Sequence, residues 1–166
     1  MKNLILAVLI CGFLTPLTAQ IINLDEVFIY PVKYKYLIEV VDDDTDAKVQ
    51  DLEMEIAKFD VTKEEYYSDE YDSYEVSFYI PEGYAVAAYD KDGNLLRTIE
   101  RYKDVKLPRA VSVALIKRFP EWTVERDIYK VKYSDRKWDS KKVYKLRLTN
   151  GDKTINVKTD EDGNFL

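Results

Sequence analysis

The side chains in this chain that could do chemistry are carboxylates, lysines, arginines and tyrosines, because histidine is absent and the single cysteine is Cys11. Without an imidazole there is no Ser-His-Asp triad, no Cys-His pair and no histidine zinc site, and no glycine-rich phosphate loop is present. With 31 acidic residues a carboxylate pair of the glycosidase kind is available in principle, but no pair is marked by its position. The chain is therefore expected to be non-enzymatic, with no catalytic residue, no metal and no cofactor.

Two acidic segments invite a calcium reading, Asp90-Lys91-Asp92-Gly93-Asn94 and Asp160-Glu161-Asp162-Gly163-Asn164. Oxygen ligands at alternate positions suit the ion, yet each segment lacks the downstream bidentate glutamate of a full loop. A hairpin turn with glycine at positive φ accounts for both. The run Asp42-Asp43-Asp44-Thr45-Asp46 lacks the spaced ligands and turn glycine of a cation cage. It reads instead as a helix N-terminus, where carboxylates cap unpaired N–H groups and complement the dipole.

Charge is more informative than any motif. Residues 42–75 hold 14 acids against 3 bases, a net of −11, whereas residues 97–147 hold 16 bases against 7 acids, a net of +9. A polarised molecule should result, suited to steering a polar partner or to head-to-tail self-association. The whole chain carries −6, so nucleic acid is not an expected partner. Two charged, aromatic loops stand out: residues 66–74, which contain Tyr67 and Tyr71, and residues 134–142, which contain Arg136 and Trp138. Interface hot spots favour Trp, Tyr and Arg, so these four are candidate partner-binding residues. Tyr79, Lys130 and Arg147, together with Lys132 and Lys145, fall on the outward register of their predicted strands and extend the candidate surface.

The elements that must position these residues follow from periodicity. Lys2, the eleven-residue apolar run from Leu4 to Leu14, Pro16 and Ala19 have the order of a cleaved secretory signal over residues 1–19. That run is too short to span a bilayer, and Ile10 before Cys11 is not the small residue of a lipoprotein signal. A periplasmic or secreted location is expected, with no disulfide and no transmembrane segment after cleavage. Residues 20–46 read as a strand-like N-terminal segment.

Val49, Leu52, Ile56 and Phe59 then recur at helical spacing, as do Val111, Ala114, Leu115 and Phe119 between Pro108 and Pro120. Strands are predicted at 60–67, 74–80, 83–90 and 95–102, then at 122–133, 142–149 and 153–159 with a stub at 164–166. A phase change between Ile128 and Tyr129 predicts a bulge there. Pro81-Glu82-Gly83 and Asn150-Gly151-Asp152 are predicted hairpin turns. The register of residues 84–90 stays open, so Tyr84 and Tyr89 are left unassigned. The fold class expected is α+β: a tandem repeat of helix plus antiparallel meander over residues 47–104 and 105–166, with helices on one face of a continuous antiparallel sheet.

Leu107-Pro108-Arg109-Ala110-Val111, Lys117-Arg118-Phe119-Pro120-Glu121-Trp122 and the closing Asp160-x-Asp162-Gly163-Asn164-Phe165-Leu166 together resemble the PepSY-like family of secreted bacterial proteins, grouped with β-lactamase-inhibitor-like folds. The resemblance covers roughly residues 47–166 and implies tandem helix-plus-sheet repeats, export, and a binding or inhibitory role without catalytic residues. The expected function is an exported module that recognises a protein, peptide or small ligand in the envelope through an open sheet face and aromatic loops. The alternatives are an inhibitor whose loops plug a hydrolase cleft, and a self-associating structural envelope protein.

Overall fold

A computed structural model describes residues 33–166. The predicted signal segment and the strand-like reading of residues 20–32 lie outside the described residues. The described chain runs α1 (Tyr34–Val40), α2 (Ala47–Lys58), β1 (Ser73–Ile80), β2 (Gly83–Asp90), β3 (Leu95–Lys103), α3 (Arg109–Arg118), β4 (Thr123–Ser134), β5 (Asp139–Asn150) and β6 (Lys153–Thr159). The strands form one antiparallel six-stranded sheet in sequence order, β1 to β6. This is an α+β fold with its helices on one face of the sheet, as α1 packs on β4 and β5, and α2 on β1.

Local chemistry accounts for the elements. In α2, Val49, Leu52, Ile56 and Ala57 are buried on one stripe, and the Asp46 carboxylate accepts from the Lys48 N–H at 3.0 Å to cap the first turn. The same acidic run also reaches α3, since Asp44 accepts from the Arg109 N–H and pairs with Lys106 at 2.7 Å. Alternation sets the strands: Tyr74 and Phe78 of β1 and Tyr144, Leu146 and Leu148 of β5 face the helices and are buried. The core is unusually phenolic, with Tyr36, Tyr89, Tyr102, Tyr129 and Tyr144 all fully buried.

The two Asp-x-Asp-Gly-Asn segments form turns with matching bonds. Asp90 accepts from the Asn94 backbone N–H at 2.8 Å and side-chain amide at 3.0 Å, and Asp160 does the same from Asn164 at 2.8 and 3.0 Å. Gly93 and Gly163 adopt φ of 79° and 81°, a conformation that costs a side-chain-bearing residue energy. Gly163 is doubly constrained, because a Cβ there would lie 2.7 Å from the Ala110 carbonyl of α3.

Four expectations are corrected. Residues 34–40 form a helix rather than a strand, held by Tyr36, whose ring packs edge-on against Tyr133 at 5.2 Å. Residues 60–67 are not a strand, because Asp60 accepts from the Thr62 N–H and hydroxyl and caps a 3-10 turn at Val61–Lys63. The β4 irregularity falls between Val124 and Arg126 instead of at Ile128. From Asp127 onward the odd positions are buried, so Ile128 faces the opposite side from Tyr129. Finally, β5 begins at Asp139, which shortens the predicted 134–142 loop to a 3-10 turn at Asp135–Lys137 followed by Trp138.

Candidate functional site

The sheet face away from the helices is covered by no described element, and its residues are set by strand register. One cross-strand row reads Tyr79, Tyr84, Arg101, Lys130 and Val143 from β1 to β5, and the next reads Lys103, Ile128, Lys145 and Lys158 from β3 to β6. A third reads Ser77, Val86, Ile99, Lys132 and Lys141. The β1–β2 half of this face is thus aromatic and aliphatic, and the β3–β6 half is cationic. Register also settles the two open tyrosines: Tyr84 faces outward and Tyr89 is buried, its hydroxyl donating to the Ile56 carbonyl at 2.9 Å.

Two adjoining hollows, of about 540 and about 300 Å³, share Arg126 and Ile128 in the cationic half. Their walls include Tyr84, Arg101 and Lys103 on one side and Lys145, Arg147 and Lys158 on the other. Arg97 pairs with Glu75 at 2.5 Å and Arg147 with Glu125 at 3.0 Å. Arg101, Lys130, Lys145 and Lys158 have no carboxylate at ion-pair distance among the described residues. The crowding shows in Lys145, whose ammonium is held below the usual lysine pKa, first by Lys130 and also by Lys158 and Arg101.

The structure places the sequence-derived candidates in three groups. Tyr79, Lys130 and Arg147 lie on the open face as expected, with Tyr79 75% exposed. Tyr67 and Tyr71 do not join them. Their loop folds back around Tyr74 on the helix side, with Tyr67 stacked on Tyr74 at 5.6 Å and donating to the Lys91 carbonyl at 3.0 Å. Tyr71 meets Tyr74 edge-on at 6.0 Å and stays 57% exposed. Arg136 and Trp138 occupy the tip between β4 and β5. Trp138 is 63% exposed at a φ of 46°, and the Lys35 ammonium lies 4.7 Å from its ring centre. That lysine also pairs with Asp135 at 2.7 Å, so α1 braces the tip. The two aromatic loops are three strand positions apart, about 15 Å at the usual interstrand spacing.

The helix side carries a group that sequence reasoning missed. Glu100 of β3 is fully buried and accepts from Tyr36 at 2.8 Å, Thr98 at 2.6 Å and Tyr102 at 2.7 Å. Burial raises its pKa while the three hydroxyls pull the other way. Glu53 of α2 is equally buried, and neither carboxyl oxygen has a hydrogen-bond partner. Burial, then the charge of Glu100, push Glu53 up to about 9, so it is neutral near pH 7. Neither carboxyl lines the hollows described here. No helix of the described residues is long and apolar enough to cross a membrane.

No protein-family model matches the chain, and no curated protein matches it.

Proposed function

We propose that this protein is an exported, non-catalytic binding module of PepSY-like type that takes an acidic protein or peptide on its open sheet face. The observation that carries the reading is the set Arg101, Lys130, Lys145 and Lys158, which crowd together without carboxylate partners beside Tyr79, Tyr84, Ile99 and Ile128. Unpaired basic groups beside aromatic and aliphatic ones give this face a positive potential that complements an acidic partner and apolar area for it to cover. Export is supported by the order of Lys2, the Leu4–Leu14 run and Ala19.

A tandem architecture fits this reading. The Asp90 and Asp160 turns share their hydrogen bonds, β2 and β6 each lead into one of them, and Tyr89 pairs with Leu95 as Thr159 pairs with Phe165. On that alignment β1 corresponds to β5, and residues 60–72 occupy the place of β4.

The test is binding of an oligoglutamate peptide to the full chain and to the triple variant Arg101→Glu, Lys130→Glu, Lys145→Glu. The variant should bind on the order of 100-fold more weakly, and wild-type affinity should fall as salt rises. Equal binding by the two chains would remove the open face from the function. A second reading, an inhibitor that plugs a cleft, is favoured by the exposure of Trp138 at a turn tip; inhibition of a hydrolase lost on Trp138→Ala and kept in the triple variant would select it. The acidic 42–75 segment and the basic face could also join copies of the chain as a structural envelope protein does. Light scattering that reports a mass above the monomer at low salt, reversed at high salt, would select that assembly.

A further inference from the structure

On the helix side of the sheet, opposite the proposed contact face, a hollow of about 140 Å³ lies between the α1–α2 loop, the start of α3 and the closing turn at Glu161. Its floor is the stacked pair Tyr129 and Tyr144, whose ring centres are 4.4 Å apart. Asp42, Asp44, Glu161 and Asp162 line it against one ammonium, Lys142. Asp44 is committed to Lys106 and the Arg109 N–H, but neither Glu161 nor Asp162 has an ion-pair partner among the described residues.

An acidic rim alone would say little; the floor says more. Tyr129 is 1% exposed and its hydroxyl has no hydrogen-bond partner. The other orphaned buried polar atoms of the described residues are both oxygens of Glu53 and the hydroxyl of Thr159. Of these groups only Tyr129 lines the hollow. Tyr102, Tyr129, Tyr144 and Thr159 form one row across β3, β4, β5 and β6. Buried polar groups are nearly always satisfied, so an orphaned hydroxyl in the floor of a hollow marks a place for a polar guest.

We propose that this hollow is a binding site for a short primary alkylamine, whose ammonium group hydrogen-bonds to the hydroxyls of Tyr129 and Tyr144 and to the Glu161 carboxylate. Carboxylates outnumber cations around it, which selects a positive guest. No group of three or more carboxyls among the described residues is placed to hold a metal ion, whereas an ammonium needs only three separate acceptors, hydroxyls included. The volume equals that of about four or five waters at ~30 Å³ each, room for an amine of a few heavy atoms.

Thermal unfolding of the full chain with ethylammonium chloride, against sodium chloride and tetramethylammonium chloride at equal ionic strength, tests this. Only ethylammonium should raise the melting temperature, saturably, because tetramethylammonium has charge but no N–H to donate. Tyr129→Phe keeps the ring stack and should weaken the amine by about tenfold, the worth of one good hydrogen bond. Glu161→Gln, at a half-exposed position, should do the same if the core variant folds poorly. An equal response to tetramethylammonium, an unchanged response in both variants, or no response in wild type would overturn the site. So would a crystal grown with ethylammonium that shows only water against Tyr129. The triple variant of the open face should keep its full response to the amine, which separates this site from the contact face.

Discussion

The two faces of one sheet handle charge in opposite ways. On the helix side, Glu100 and Glu53 are sunk among tyrosines, and three hydroxyls hold the Glu100 carboxyl. On the other side the same strands point Arg101, Lys130, Lys145 and Lys158 into solvent with no carboxylate beside them. Neighbours on a strand supply both: Glu100 and Arg101 are adjacent in sequence and end on opposite faces. The buried carboxyl must be satisfied for the chain to fold, because desolvation is costly. The exposed cations, screened by water, have no such structural duty. That contrast assigns the Glu100 carboxyl to stability and leaves the lysine and arginine rows available for a partner.

Substitutions can break this contrast from either side. Glu100→Ala should have the largest effect, about 3–5 kcal/mol lost, since it strands the hydroxyls of Tyr36, Thr98 and Tyr102 in the core. The midpoint of urea unfolding reads it, and a loss below about 1 kcal/mol would mean the cluster relaxes or is wet. Next comes Glu53→Leu, through pH. The wild-type carboxyl stays protonated in the fold up to about 9 but ionises near 4.5 when unfolded. Between those values the unfolded chain binds fewer protons, so stability falls by about 1.4 kcal/mol per pH unit from this group. Glu53→Leu should flatten that decline, with the greatest gain over wild type at pH 8 and little at pH 4; parallel curves for the two chains would refute the assignment.

Smaller effects belong to the outer surface. Trp138→Ala removes the contact with the Lys35 ammonium and should cost about 0.5–1 kcal/mol, read as a shift of about 1–4 °C in melting temperature. It should leave oligoglutamate binding unchanged, and a weakened peptide would draw the tip into the contact surface. Smallest is Lys145→Gln, which relieves repulsion from Lys130 and Lys158 and should raise the melting temperature slightly at low salt, a gain that vanishes at high salt. A destabilising shift would imply an attractive role for that lysine.

Much of the fold was legible wherever periodicity was clean. Val49, Leu52 and Ile56 mark α2, Tyr74 and Phe78 mark β1, and the two Asp-Gly turns adopt the positive φ their glycines suggest. Residues 34–40 misled because a tyrosine and β-branched stretch has strand propensity, while its helix is fixed by tertiary contacts of Tyr36 with Glu100 and Tyr133. The contact face was half legible. Lys130 and Arg147 follow from the alternation of β4 and β5, but Arg101 was hidden, since a buried Glu100 and an exposed Ile99 invert the expected pattern of β3. The aromatic loops were overread, for spacing alone cannot tell that Tyr67 folds onto Tyr74.

The most direct test of the central claim is a backbone amide shift map of the folded chain titrated with oligoglutamate at low salt. The perturbations should concentrate on the β3–β6 strands around Arg101, Lys130, Lys145 and Lys158 and fade as salt is added. Perturbations confined to the Trp138 tip and the Tyr71 loop, or spread evenly over every lysine and arginine of the surface, would contradict a dedicated contact face.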